Sequence, residues 1–169
     1  MLTTAPRLNR GIGLLEILMT ILIMAVGFLA SARMQIQGLQ QSQSAYYQSQ
    51  AYLLASEIMD RMRLNPEGVL AGSYDSVSTN GVYPEPACVL SGCSGADQAA
   101  LDLHEWSLTI KPTQAGVLPA LPSTDAIAAV GTVDRIDVNR FEVRLSWSDV
   151  VNGSSEERSL DFSFVPTSL

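Results

Sequence analysis

The chain has 169 residues, 47% of them hydrophobic, and carries seventeen Asp and Glu against ten Lys and Arg, a formal net charge of −7. So acidic a balance argues against an electrostatic grip on nucleic acid, which needs clustered basic residues for counterion release, and Lys111 is the only lysine. The length allows about one domain beside a single apolar run near the N-terminus.

Residues 1–11 read as a short polar leader containing Arg7 and Arg10, without the apolar core of a conventional secretory signal. From Ile12 to Ala32 the chain is apolar apart from Thr20, Ser31 and Glu16, and the first basic residue is Arg33. At about 1.5 Å per helical residue this stretch crosses a bilayer core of about 30 Å, which predicts a transmembrane helix over 12–32. The basic leader faces a single Arg33 at the far end, which places the N-terminus in the cytoplasm and the rest in the periplasm. Glu16 is the anomaly. An acid inside a span costs about 2.5 to 3.5 kcal/mol and calls for a partner charge. A cut after Gly11 would create an α-ammonium on Ile12, one helical turn from the Glu16 carboxylate or within reach of a neighbouring copy's.

Basic leader, Gly11, Ile12 and Glu16 four residues later, all leading into an apolar helix, resemble the processing site of type IV prepilins and type II secretion pseudopilins. The resemblance implies cleavage between Gly11 and Ile12 by a prepilin peptidase, N-methylation of Ile12, and a role for Glu16 in subunit registration during fibre assembly. Gly13 departs from the pattern, since many pilins carry Thr there. Loss of the leader would leave eight basic against seventeen acidic residues, a balance of −9.

From Arg33 the composition turns to Gln, Ser and Ala without a helix breaker, and bulky apolar residues recur at helical spacing: Ile36, Leu39, Tyr46 or Tyr47, Ala51, Leu54, Ile58 and Met62. The periodicity predicts an amphipathic continuation over 33–64, ending near Leu64 because Pro66 disfavours helix at Asn65. Ile12 to Leu64 would be about 80 Å long if straight, too long for a domain of this size to cover. Gly27 and Gly38 are points where the helix bends or loosens on assembly, or where it packs closely on another helix. Glu57 and Arg61, four apart, pair on the helix surface, and Arg61 and Arg63 suit its C-terminal dipole. The run from Gln48 to Pro66, with its Asp60-Arg61-Met62-Arg63 sequence, is similar to minor pilins of the PilV type.

Residues 67–95 read as a long connection rich in turn formers, including Ser78–Gly81 and Pro84–Pro86. Cys88 and Cys93 lie in it, and a periplasmic setting would oxidise them to a small structural disulfide loop. A redox motif would space them as C-x-x-C, and zinc would need two further ligands where His104 is the sole histidine. Next, Ala99, Leu103, Trp106 and Ile110 share a helical face, predicting a short helix capped by Ser94 or Asp97 and ending before Pro112. Trp106–Ile110 also alternates and is compatible with a strand. His104 beside Asp102 and Glu105 reads as a solvated histidine, because sequence neighbours do not share a helix face. The Cys pair, an Ala-rich stretch and then Asp102, Leu103 and Trp106 again resemble PilV-type proteins.

Period-two alternation then predicts strands over 130–138, 141–150 and 157–165, joined by Asn139-Arg140 and by Asn152-Gly153, a strong hairpin signal. Phe141, Val143, Leu145 and Trp147 fall on one side, which should close over Leu54, Ile58 and Met62. The fold expected is α+β, a long N-terminal helix packed on a C-terminal antiparallel sheet within a periplasmic domain over 65–169. No residue pattern suggests catalysis, a cofactor or a metal. The family resemblance implies a minor pilin that joins a tip or initiation complex. Its partners would be other minor and major pilins, the prepilin peptidase and methylase, and inner-membrane lipid before assembly into a surface pilus. The rival readings are a minor pseudopilin of a type II secretion system and a membrane-anchored periplasmic enzyme or binding domain.

Overall fold

The computed structural model describes residues 13–114, 116–151 and 153–166, so Gly11 and Ile12 lie outside the described residues. Two units emerge, one reaching to Gln41 and one formed by Ser42–Leu169. Helix α1, Leu14–Leu64, contributes to both. It ends where Pro66 requires, with Asn65 leaving helical geometry at φ −123° and ψ 65°. The helix passes through Gly27 and Gly38 without interruption, and a Cβ at either would meet nothing within 4 Å. Neither glycine therefore serves packing within the chain.

In the second unit the connection expected over 67–95 is more ordered than its turn formers suggest. It begins with a short helix α2, Pro66–Leu70, in which Pro66 takes the first turn and the Asn65 side chain accepts from Gly68 N–H at 3.1 Å. It also contains a two-residue strand β1, Val77–Ser78, and a 3₁₀ turn, Ala87–Leu90. Helix α3 follows over Gly95–Ile110, with Ser94 rather than Asp97 as its cap, accepting from Asp97 N–H at 3.3 Å. It continues through Trp106–Ile110, so the strand alternative fails there. Ala99, Leu103, Trp106 and Ile110 are all buried, as the spacing predicts.

The sheet is antiparallel in the order β1-β2-β3-β4, with β2 Val130–Asp137, β3 Arg140–Val151 and β4 Ser154–Phe164. Three of its strands are those read from alternation; β1 is the addition. Two residues carry no periodicity, and β1 exists because Val77 and Ser78 pair with Val133 and Thr132 and because Thr79 N–H reaches the Gly131 carbonyl at 2.9 Å. The first connection is Val138-Asn139, one residue earlier than expected, since Arg140 already pairs with Asp137. The second connection lies between Val151 and Ser154, which pair; Asn152 is outside the described residues, and Gly153 takes the positive φ of 85° that the expected turn favours. Strand β4 starts three residues before its apolar alternation, because Ser154, Ser155 and Glu156 pair with Val151, Val150 and Asp149 of β3, and it ends at Phe164, one residue before expected.

One buried cluster unites Ala51, Leu54, Ala55, Ile58 and Met62 of α1 with Leu103 and Trp106 of α3 and Val143, Leu145 and Trp147 of β3. Each large side chain so buried is worth about 1.5 to 3 kcal/mol. Trp106 is the hinge-pin of this core. Its indole N–H donates to the Leu54 carbonyl at 3.0 Å, and its ring lies against Gly131, where a Cβ would come within 2.5 Å of Cη2. Only glycine lets β2 approach so near. The opposite tryptophan, Trp147, is equally buried, yet its indole nitrogen has no hydrogen-bond partner among the described residues.

Candidate functional site

The N-terminal stretch of α1 exposes apolar side chains on every side, from Leu14 (78% exposed) to Phe28 and Leu29. A helix apolar all round needs a membrane or other helices to cover it, and α1 is long and apolar enough to cross a membrane. Its polar groups fit such surroundings. Thr20 Oγ1 donates to the Ile17 carbonyl at 2.8 Å and Ser31 Oγ to the Gly27 carbonyl at 3.0 Å, so both hydroxyls are satisfied within the helix. Glu16 sits in the first turn, where the Gly13 carbonyl accepts from Glu16 N–H at 2.9 Å. The positive end of the helix dipole favours a carboxylate at that point by about 0.3 to 1 kcal/mol. Among the described residues Glu16 makes no ion pair, and the next basic side chain, Arg33, is seventeen residues or about 25 Å along the axis.

Cys88 and Cys93 form the expected disulfide. It closes over the 3₁₀ turn, whose Cys88 carbonyl accepts from the N–H groups of Ser91 and Gly92 at 3.0 and 2.9 Å. By loop entropy this cross-link contributes about 2 kcal/mol.

The most connected polar site was not legible in the sequence. Arg61 makes the expected bond to Glu57, at 2.8 Å, but also reaches Glu105 at 2.6 Å and Asp102 at 3.3 Å across to α3. Asp102, only 2% exposed, accepts further from Gln98 at 3.0 Å and from the Tyr74 hydroxyl at 2.5 Å. Tyr74 in turn accepts from Asn65 Nδ2 at 3.0 Å, and the same amide donates to the Gly95 carbonyl at 2.7 Å. The end of α1, the start of α2 and the start of α3 are thus tied through one buried carboxylate. Burial opposes the charge on Arg61, but its bonds to Glu105 and Glu57 outweigh that and hold its pKa above the ordinary guanidinium range. Burial, then the bond to Asp102, pushes the Tyr74 phenol well above its usual value.

The fold therefore favours neutral Tyr74, and that contribution is intact below about pH 10, where a free phenol begins to ionise, and is lost as pH rises further. Tyr74→Phe should destabilise by about 1 kcal/mol at pH 8. In urea unfolding from pH 8 to 11 its curve should converge on the parent's above pH 10, whereas parallel curves would show that Tyr74 is not the group responsible.

His104 departs from expectation. It is half-buried, not solvated, with Nδ1 2.5 Å from the Tyr83 carbonyl. It does not join Asp102 and Glu105, which turn together to Arg61. Among the described residues no cluster of three His, Cys, Asp or Glu is placed to hold a metal. No family model, no curated protein and no solved structure matches the chain.

Proposed function

We propose that this protein is a non-enzymatic subunit of a type IV pilus, a minor pilin that is processed between Gly11 and Ile12 and then drawn from the inner membrane into a fibre. The observation that carries the reading is the apolar exposed stretch of α1, whose single carboxylate, Glu16, lies in the first turn with no basic residue on α1 before Arg33. Extraction from lipid requires that this surface be covered again at once, because water tolerates no apolar patch so large. Equivalent helices of other subunits supply that cover. A new α-ammonium on Ile12, in the same or an adjacent copy, supplies the charge that Glu16 lacks. The domain formed by Ser42–Leu169 has its own core and stays folded outside the membrane while the helix exchanges partners. Minor and major pilins are the partners in this reading, and a tip or initiation complex is the place.

The test is mass spectrometry of fibres sheared from cells that express the protein, compared with fibres from a deletion strain viewed by electron microscopy. A fibre-borne N-terminal peptide beginning at methylated Ile12, and fewer fibres on deletion, is the expected result. Mature protein still beginning at Met1 would refute the reading.

A further inference from the structure

A cleft on the second unit, lined by none of the residues of the Arg61 network, brings together the only histidine and the only lysine of the chain. One wall is the C-terminal half of α3, with His104, Ser107 and Leu108, continued by Lys111 just past its end; the other is the loop 79–83. The loop is fixed before any ligand arrives. Thr79 is tied to the Gly131 backbone in both directions, at 2.9 and 3.0 Å. At its other end the Tyr83 hydroxyl donates to the Ser78 carbonyl at 3.0 Å, and the Tyr83 carbonyl faces His104.

The chemistry of the two walls is asymmetric. A carbonyl only accepts, so the 2.5 Å contact with Tyr83 assigns a proton to His104 Nδ1, and in the neutral form of such a ring Nε2 is the acceptor, here with no hydrogen bond among the described residues. Lys111 uses one donor on Asn80 Oδ1 and makes no ion pair among the described residues, which leaves two N–H groups for a ligand. Ser107 donates its own hydroxyl proton to the His104 carbonyl at 2.8 Å, so it too can only accept. Val82 and Leu108 give the cleft an apolar side.

We propose that this cleft binds a hydroxylated carboxylate of monosaccharide size, with the carboxylate on Lys111 and a ligand hydroxyl donating to His104 Nε2. Seven residues separate His104 from Lys111, about two helical turns. With a hydrogen bond of about 2.8 Å at each end, a monosaccharide acid bridges such a gap and a small acid such as acetate does not. The overall negative charge disfavours polyanions at long range and leaves a single carboxylate, held at short range, as the fitting ligand. A uronic acid unit of a glycan and a free open-chain sugar acid share this chemistry.

One histidine makes the test specific. Full-length protein in detergent micelles, labelled with [15N]histidine, gives the imidazole signals of His104 alone. D-Galacturonate should shift Nε2 and leave Nδ1 nearly still, with at least tenfold weaker binding for D-galactose, which lacks the carboxylate, and for Lys111→Met. D-Gluconate binding as well as D-galacturonate would assign the site to free sugar acids, and weaker gluconate binding would assign it to uronic acid units. No Nε2 shift with either acid, or an equal shift in Lys111→Met of unchanged thermal stability, would overturn the proposal.

Discussion

Replacing Glu16 by alanine is expected to cut the number of assembled fibres at least tenfold while the protein inserts and folds as before. Insertion should if anything improve, because an acid in the span costs about 2.5 to 3.5 kcal/mol and the helix N-terminus returns at most about 1 kcal/mol. The balance has to come from a cation, and none lies on α1 before Arg33. In a fibre built as proposed, removing the carboxylate would leave an α-ammonium buried without a partner. The loss of one member of a buried charged pair costs about 2 to 5 kcal/mol, and 2 kcal/mol already exceeds a tenfold change in equilibrium. Glu16→Gln should fail alike, since it keeps the shape and loses the charge. Carbonate-resistant membrane association and fibre counts by electron microscopy are the two measurements, and normal fibre numbers in either variant would remove the electrostatic basis of the proposal.

Asp102→Ala should be the most damaging single change in the second unit, at about 3 kcal/mol. Its carboxylate accepts from Tyr74, Gln98 and Arg61. Truncation leaves a buried phenol without its acceptor, which costs about 1 to 3 kcal/mol, and removes a member of a mostly buried ion pair. Arg61 keeps Glu57 and Glu105, so the penalty stays near the lower end for such pairs. For a domain of about this size the thermal midpoint should fall by at least about 10 °C. Asp102→Asn, which retains an acceptor for Tyr74, should lose about half as much. Calorimetry of the two variants checks the order, and an alanine variant within 1 kcal/mol of the parent would show that the network is ornamental to stability.

What could be read from the sequence was what depends on neighbours in the chain. Pro66 ends α1, the spacing of Ala99, Leu103, Trp106 and Ile110 fixes the buried face of α3, and alternation marks three strands. The disulfide was legible because only two cysteines exist. What escaped depends on the chain returning to itself. β1 has too few residues to show a period, and α2 hides behind turn-forming residues that here serve as cap and first turn. The network at Asp102 escaped because two of its partners, Tyr74 and Arg61, lie 28 and 41 residues away. His104 escaped for the same reason, its partner being Tyr83. A hint existed at Asn65, since a cap just before a proline marks a helix start.

A last consequence follows from the seam between α1 and the sheet. Ser44 Oγ donates to Asp149 Oδ2 at 2.6 Å, and Asp149 is almost wholly enclosed, with Arg158 3.7 Å away. Tension along α1 from its N-terminal side therefore meets this polar clasp before it meets the apolar contacts of Ala51, Leu54, Ala55, Ile58 and Met62. Those contacts lie in a row along the direction of pull, so a load shears them together instead of peeling them one by one. A domain held to its helix in this way resists traction far better than the modest strength of any one of its bonds suggests.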